Sequence, residues 1–450
     1  MNIVKANKVR SEIEKFMLAD GMDQVIDLEK SHGVWLADGR DGREYLDLFS
    51  MFASMPVGYN HPYILEQKDR ITAAALNKPT NSDVYSTQMA EFVSTMGRVA
   101  QPDYLPYAFY VEGGALGVEN ALKTAFDWKV RKNLDAGKGE KGSKIIHFKE
   151  CFHGRTGYTM SMTDSPDPRK TMYYPQFDWP RIDNPKITFP LDEASLNNVI
   201  NSEQIAIKQI LDALEKNKDE IAGLIIEPIQ GEGGDNHFRC EFFQQLRKLA
   251  DEHEFLLIYD EVQTGAGITG SMWAHQQFNP NSCNCDCDQI NSTRPDIISF
   301  GKKTQVCGIF AGERLDEVDG HVFKESSRLN STWGGSLVDM VRFTIYLEIM
   351  EKDNLVQKAA ENGKYLKEQL HALQKSHSGL VSNVRNLGLF GAFDMRDSEE
   401  RDKTIGLIAE EGAMMLGCGK KTIRFRPHLN IAKSEIDQGL SMIDKAIRKI

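Results

Sequence analysis

The chain has 450 residues, a formal net charge of −11, 41% hydrophobic residues and 26% charged residues. This is the composition of an ordinary soluble globular protein with room for two domains, and the acidic balance excludes the basic face that non-specific nucleic-acid binding needs. No apolar run approaches the roughly 18 residues that suggest a membrane span. Residues 1–15 lack the apolar core of a signal peptide, so no membrane partner and a cytoplasmic location are expected.

Residues 25–49 show short strand-like pieces punctuated by Gly33, Asp38-Gly39 and Asp41-Gly42, the pattern of a small β-meander. A Gly/Pro/Asn loop follows at 52–62, then helical periodicity at 63–76 and 86–99. From about residue 104 the pattern becomes strand, loop, helix, repeated. Segments 107–111, 145–148, 223–226, 255–259 and 296–300 read as strands, and 118–132, 208–217 and 241–253 as helices between them. Val118, Ala121, Ala125 and Trp128 share one side of the first of these helices. After Gly335 a long helical pattern reaches about residue 373. Residues 380–450 mix strands at 388–395 and 422–426 with helices at 401–411 and 433–448.

This alternation predicts an α/β fold with a mainly parallel central sheet covered by helices. The expected division is an N-terminal segment at 1–62, a large domain at 63–340 and a small C-terminal α+β domain at 341–450, with which the N-terminal segment packs. Seven cysteines in a chain of this size are no disulfide framework. Three of them, Cys283, Cys285 and Cys287, lie in the polar stretch 279–293. Alternate-residue spacing does not easily wrap three thiolates around one tetrahedral ion and there is no CxxC pair, so no metal is expected and the stretch reads as a solvated loop.

Chemistry concentrates in residues 255–304. Two short apolar runs each deliver an ionisable group past their carboxyl ends: Asp260, in Asp260-Glu261-Val262-Gln263-Thr264-Gly265, and Lys302, in Phe300-Gly301-Lys302-Lys303. Open α/β sheets place their ligands at that edge. A carboxylate and a desolvated lysine there suit pyridoxal phosphate, whose ring nitrogen wants an acidic partner and whose aldehyde wants an amine. Lys303 competes with Lys302, because successive residues point in different directions and only one can face the site. Glu112-Gly113-Gly114-Ala115 joins a strand to a helix, and a helix N-terminus offers free N–H groups to a phosphate. Phe152 and Arg155, in Cys151-Phe152-His153-Gly154-Arg155, follow another strand, where an aromatic can stack on a ring and an arginine can grip a carboxylate.

These motifs, in this order, resemble the class III pyridoxal phosphate-dependent aminotransferases of fold type I, over nearly the whole chain. Within that family the chain is most similar to the lysine 6-aminotransferases. The similarity lies in Val111-Glu112-Gly113-Gly114-Ala115, Glu227-Pro228-Ile229-Gln230-Gly231-Glu232-Gly233-Gly234-Asp235, Lys302-Lys303-Thr304-Gln305 and Asn330-Ser331-Thr332-Trp333-Gly334-Gly335. Many other class III members carry Ser or Thr where this chain has Gly113.

The resemblance implies the following roles. Lys302 holds the cofactor covalently and then works as acid and base. Asp260 pairs the ring nitrogen, Gln263 the ring oxygen, and Phe152 covers the ring. Gly114 and Ala115 donate to the phosphate, and Thr332 reaches the phosphate of the other subunit, so a homodimer with shared sites is expected. Arg155 takes the distal carboxylate of 2-oxoglutarate or the α-carboxylate of L-lysine, and Arg424 takes the α-carboxylate of L-glutamate or 2-oxoglutarate. The implied reaction moves the ε-amino group of L-lysine to 2-oxoglutarate. It gives L-glutamate and 2-aminoadipate 6-semialdehyde, which cyclises to piperideine-6-carboxylate. A transaminase for ornithine or 4-aminobutyrate, and an aminomutase or decarboxylase on the same scaffold, stay open.

Lysine brings no carboxylate beside its reacting carbon, so Arg424 would stand unpaired while lysine is bound. Glu232, set among glycines in a loop read as movable, is expected to pair with Arg424 in that state and to swing away for the keto acid.

Overall fold

In a computed structural model, residues 4–278 and 293–450 are described; the three-cysteine stretch lies outside them, except for Thr293. Two strands open the chain, β1 (Trp35–Ala37) and β2 (Glu44–Asp47). Seven make the central sheet: β3 (Tyr107–Val111), β4 (Lys144–Phe148), β5 (Arg181–Ile182), β6 (Ile221–Ile226), β7 (Leu256–Asp260), β8 (Ile297–Phe300) and β9 (Cys307–Ala311). They lie in the order β3-β9-β8-β7-β6-β4-β5. All pairs from β8 to β5 are parallel, and β9 alone runs against both of its neighbours.

Side-chain alternation explains why the middle strands are mostly apolar on both faces. On β7, Leu257 and Tyr259 face one core, with Phe243 and Leu246 of helix Cys240–Glu252. Leu256 and Ile258 face a second core, with Val118, Ala121, Ala125 and Trp128 of helix Gly114–Asp135. Those four helix residues are completely buried, as their spacing requires. Strands covered on both faces have no polar side, and each fully buried Leu or Ile contributes about 1.5–3 kcal/mol.

Several boundaries differ from those read in the sequence. The helix expected at 208–217 begins fifteen residues earlier, as Glu193–Lys216, because Asp192 caps it by accepting the Ser195 N–H at 2.8 Å. The long helical pattern after Gly335 is two helices, Leu337–Lys352 and Leu355–Ser376, broken where Asn354 takes a left-handed φ of 52°. The pattern at 63–76 is likewise two helices, Pro62–Glu66 and Lys68–Ala75. Strands β5 and β9 were not anticipated.

The C-terminal strands β10 (Ser382–Leu387), β11 (Phe390–Asp394), β12 (Ala413–Met414), β13 (Leu416–Cys418) and β14 (Thr422–Phe425) divide between two sheets. Four form an antiparallel sheet in the order β10-β11-β14-β13, and β12 joins β1 and β2 by pairing parallel to β2. The expected N-terminal meander thus takes its third strand from the far end of the chain. Among the described residues, no helix is long and apolar enough to cross a membrane.

Candidate functional site

Five segments meet at the carboxyl edge of the parallel strands. Helix Gly114–Asp135 starts just after β3, the 149–156 loop follows β4, Glu227 follows β6, Asp260 ends β7 and Lys302 follows β8. Together they enclose a cavity of about 270 Å³ lined by Gly114, Ala115, Phe152, Arg155, Asp260, Gln263 and Lys302, with His153 and Glu227. Seven of the ten residues singled out in the sequence therefore share one wall.

The structure separates the two lysines. Lys303 is buried and its ammonium donates to the Gln263 carbonyl at 3.3 Å. Lys302 faces the cavity, and burial there, with Arg424 and Arg426 nearby, brings its ammonium down to about 8 against the pull of Glu232. Its backbone is left-handed at φ 55°, as is Gln305 at 59°. Gln305 Nε2 donates to the Ser54 carbonyl at 2.6 Å, directly after four consecutive left-handed residues, Ser50 to Ala53. Left-handed non-glycine backbone is costly and persists where surrounding contacts over-determine it, as they do at functional sites.

Asp260 is buried and held from two sides. Its Oδ2 accepts from His153 Nδ1 at 2.7 Å, and its Oδ1 accepts from the Val262 N–H at 3.0 Å. His153 was not singled out in the sequence, although it sits between Phe152 and Arg155. A histidine beside an aromatic in a strand-end loop was the available signal, and it does not reveal a partner 107 residues away. Next to it, Glu227 accepts the Phe152 N–H at 2.8 Å and the Gly231 N–H at 3.1 Å. Burial, and then the charge of Asp260, push its carboxyl well above the ordinary range.

Gln263 links this cavity to Arg424 on β14 and to Arg426 just past its end. Its Oε1 accepts from Arg426 Nε at 3.0 Å and Nη2 at 2.9 Å, and lies 3.5 Å from Arg424 Nη1. Guanidinium groups only donate, so the amide oxygen must face them and the NH2 is left to donate elsewhere. Arg424 Nη1 donates to Glu232 Oε1 at 2.8 Å. Burial alone would raise the Glu232 carboxyl, but Arg424 and Lys302 hold it down at about 2. Just past the end of β14, Arg426 makes a fully buried two-pronged pair with Asp235 at 2.9 and 2.5 Å.

The glycines around Glu232 serve close packing. A Cβ on Gly233 would lie 2.0 Å from the Glu150 carbonyl oxygen, and one on Gly231 would lie 2.3 Å from Gln263 Oε1. This backbone is pinned, so any movement of Glu232 belongs to its side chain and not to a mobile loop. Gly113, the residue ahead of helix Gly114–Asp135, has φ 96°, where Ser or Thr would be strained. Arg155 is exposed at the cavity rim and makes no ion pair among the described residues. Thr332 stands apart from the cavity, exposed, with its carbonyl accepting from Ser82 Oγ at 3.2 Å.

Residues 17–447 match the Aminotransferase class-III family. The chain is 45% identical over 442 residues to the L-lysine-epsilon aminotransferase of Amycolatopsis lactamdurans, covering 97% of this chain and 95% of that protein. It is 43% identical over 449 residues to the L-lysine-epsilon aminotransferase of Streptomyces clavuligerus, covering 99% and 95%. Among solved structures it is similar to the lysine aminotransferase from M. tuberculosis in the internal aldimine form. The TM-score is 0.94 and the identity 44%, over 99% of this chain and all of that one.

The residues present fit pyridoxal phosphate. The cavity offers an amine of lowered basicity, a buried carboxylate, the free N–H groups of a helix N-terminus and an amide NH2 with no acceptor among the described residues. His153, which lines the same cavity, keeps a buried Nε2 with no partner among the described residues. With its family match running nearly end to end, the chain belongs to the class III aminotransferases and is a pyridoxal phosphate-dependent enzyme.

Proposed function

We propose that this enzyme transfers the ε-amino group of L-lysine to 2-oxoglutarate, releasing L-glutamate and 2-aminoadipate 6-semialdehyde, which cyclises to piperideine-6-carboxylate. The observation that carries the reading is the 2.8 Å pair between Arg424 and Glu232 beside Lys302. A site for α-amino acids alone has no use for a carboxylate that covers its own arginine. A site that must also take an amine-bearing methylene does, and the names of the similar proteins support the same donor.

When bound, pyridoxal phosphate supplies the electron sink that makes the carbon next to the substrate nitrogen acidic. The protein's residues do the rest. Lys302 Nζ anchors the cofactor; once displaced, it takes the proton from that carbon and later returns one. An ammonium brought down to about 8 is neutral often enough near pH 8 to act as a base. Asp260, oriented by His153 and the Val262 N–H, presents a carboxylate for the ring nitrogen. The Gln263 NH2 is the donor for the ring oxygen. Phe152 covers the ring face, and Gly114 and Ala115 serve the phosphate.

Arg155 takes the carboxylate far from the reacting carbon: the α-carboxylate of lysine in one half-reaction and the distal carboxylate of 2-oxoglutarate in the other. Arg424 takes the near carboxylate of the keto acid or of glutamate, and Glu232 covers it while lysine is bound. Thr332 completes the phosphate site of a second copy, so the working unit is a homodimer with shared sites. Residues 63–340 form the cofactor-binding domain, and 341–450 form the small domain, with 1–62 packed on it. The enzyme is placed in the cytoplasm.

Incubation of 2-oxoglutarate with L-lysine carrying a nitrogen isotope label at the ε position tests the reading, because the two possible carbonyl products are isomers that both cyclise: the label should pass to L-glutamate. Unlabelled glutamate, with the label retained in the carbonyl product, would refute it.

A further inference from the structure

The pinned backbone at residues 231–234 limits how far the Glu232 carboxylate can travel. Leaving Arg424, it can reach only groups bordering the same space as its own side chain. That space is a cavity of about 760 Å³ lined by Glu232 together with Lys170, Arg396, Arg401, Lys420 and Lys421. Its two arginines are already matched. Arg396 is paired with Glu400, and Arg401 with Asp402 and two backbone carbonyls. Asp167, the carboxylate nearest Lys170 in the chain, is held by Arg169 through two bonds of 2.8 and 2.9 Å.

Lys170 and Lys421 are half-buried and Lys420 is exposed, and none of their ammonium groups has a hydrogen bond or ion pair among the described residues. Of the three, Lys170 is the one set over a ring of the Lys302 cavity. It stands 5.8 Å from the centroid of the Phe152 ring, at the boundary between this cavity and the smaller one around Lys302. Its charge is among those that hold the Glu232 carboxyl down.

Building on the proposed function, we infer that Lys170 is the alternative partner of Glu232, receiving its carboxylate when a dicarboxylate ligand takes Arg424. The carboxylate then exchanges one cation for another, where otherwise it would go unpaired in a partly desolvated cavity. Lys170 is thus a positioning residue for the dicarboxylate half-reaction. It lowers the cost of clearing Arg424 and has no part in binding lysine.

The test is binding of glutarate, an unreactive five-carbon dicarboxylate, to the holoenzyme by spectral titration and calorimetry. The proteins are wild type, Lys170→Met, Lys170→Arg, Glu232→Ala and the Glu232→Ala/Lys170→Met double variant. Losing a half-exposed ion pair predicts a Kd about three- to fivefold weaker in Lys170→Met, largely restored in Lys170→Arg. In the Glu232→Ala background the Lys170 substitution should change nothing, because the carboxylate that needs the lysine is gone. The half-reaction with L-lysine should be unaffected by Lys170→Met. An unchanged Kd in Lys170→Met overturns the inference. So does an equal loss with and without Glu232, which would mean that Lys170 touches the ligand itself. Glutarate binding reads Lys170 whatever the amine donor is, so failure here and failure of the lysine assignment are separate results.

Discussion

Replacing Glu232 with Ala removes the carboxylate that covers Arg424 while lysine is bound. The guanidinium is 4% exposed and is left with Gln263 Oε1 at 3.5 Å, too long for a good hydrogen bond. Breaking a fully buried pair by deleting one partner costs about 3–5 kcal/mol. The Glu232 side chain is 25% exposed and opens on the larger cavity. Water can therefore follow into the vacated space, and a cost of about 2 kcal/mol is the better expectation. That corresponds to roughly 30-fold in the apparent second-order rate constant for L-lysine.

The glutamate half-reaction should behave oppositely. Its α-carboxylate no longer has to displace Glu232, so its rate constant should hold or rise by a fewfold. Stopped-flow spectra of each half-reaction, started from the pyridoxal form and mixed with one amino acid at a time, give both values. Equal losses for lysine and glutamate would refute the gating role, and a loss confined to glutamate would invert it.

Lys302→Met should abolish turnover and borohydride trapping of the cofactor. In the apoprotein it should also raise thermal stability at pH 7.5. The ammonium is brought down from 10.5 to about 8 on folding, so a charged Lys302 disfavours the folded state below pH 8. That penalty is relieved as pH rises toward 10.5, because the unfolded chain then binds the extra proton. The stability gap between variant and wild type, measured by denaturant titration, should shrink by pH 9.5. Asp235→Asn leaves Arg426 charged and buried without its two-pronged partner, so a loss of about 3–5 kcal/mol is expected in urea unfolding. Gly233→Ala puts a Cβ 2.0 Å from a backbone carbonyl that has no flexible end to yield. It should cost more than about 2 kcal/mol and lower the yield of folded protein; a variant of wild-type stability would show that the backbone there can move after all.

The parallel core and the groups at its edge are legible in local residue pattern. The run 255–259 is apolar at every position, and 297–300 at all but Ser299, because both faces of β7 and β8 are covered, and that pattern survives in one dimension. A strand of that kind ending in Asp260, and another followed by Lys302, was enough to locate a cofactor edge. The sequence was poorer where local pattern is weak. β5 has only two residues, and β9 is a third short apolar run whose antiparallel direction no periodicity encodes.

Features that depend on distant partners emerge only in the folded chain. Which of two adjacent lysines faces the cavity follows from Lys303 finding the Gln263 carbonyl. The clamp of His153 on Asp260, the covering of Arg424 by Glu232 and the burial of Arg426 on Asp235 join residues 107, 192 and 191 positions apart. The role of the glycines beside Glu232 was misjudged for the same reason. A glycine that permits motion and a glycine that permits contact are identical in sequence, and only the carbonyl of Glu150 tells them apart.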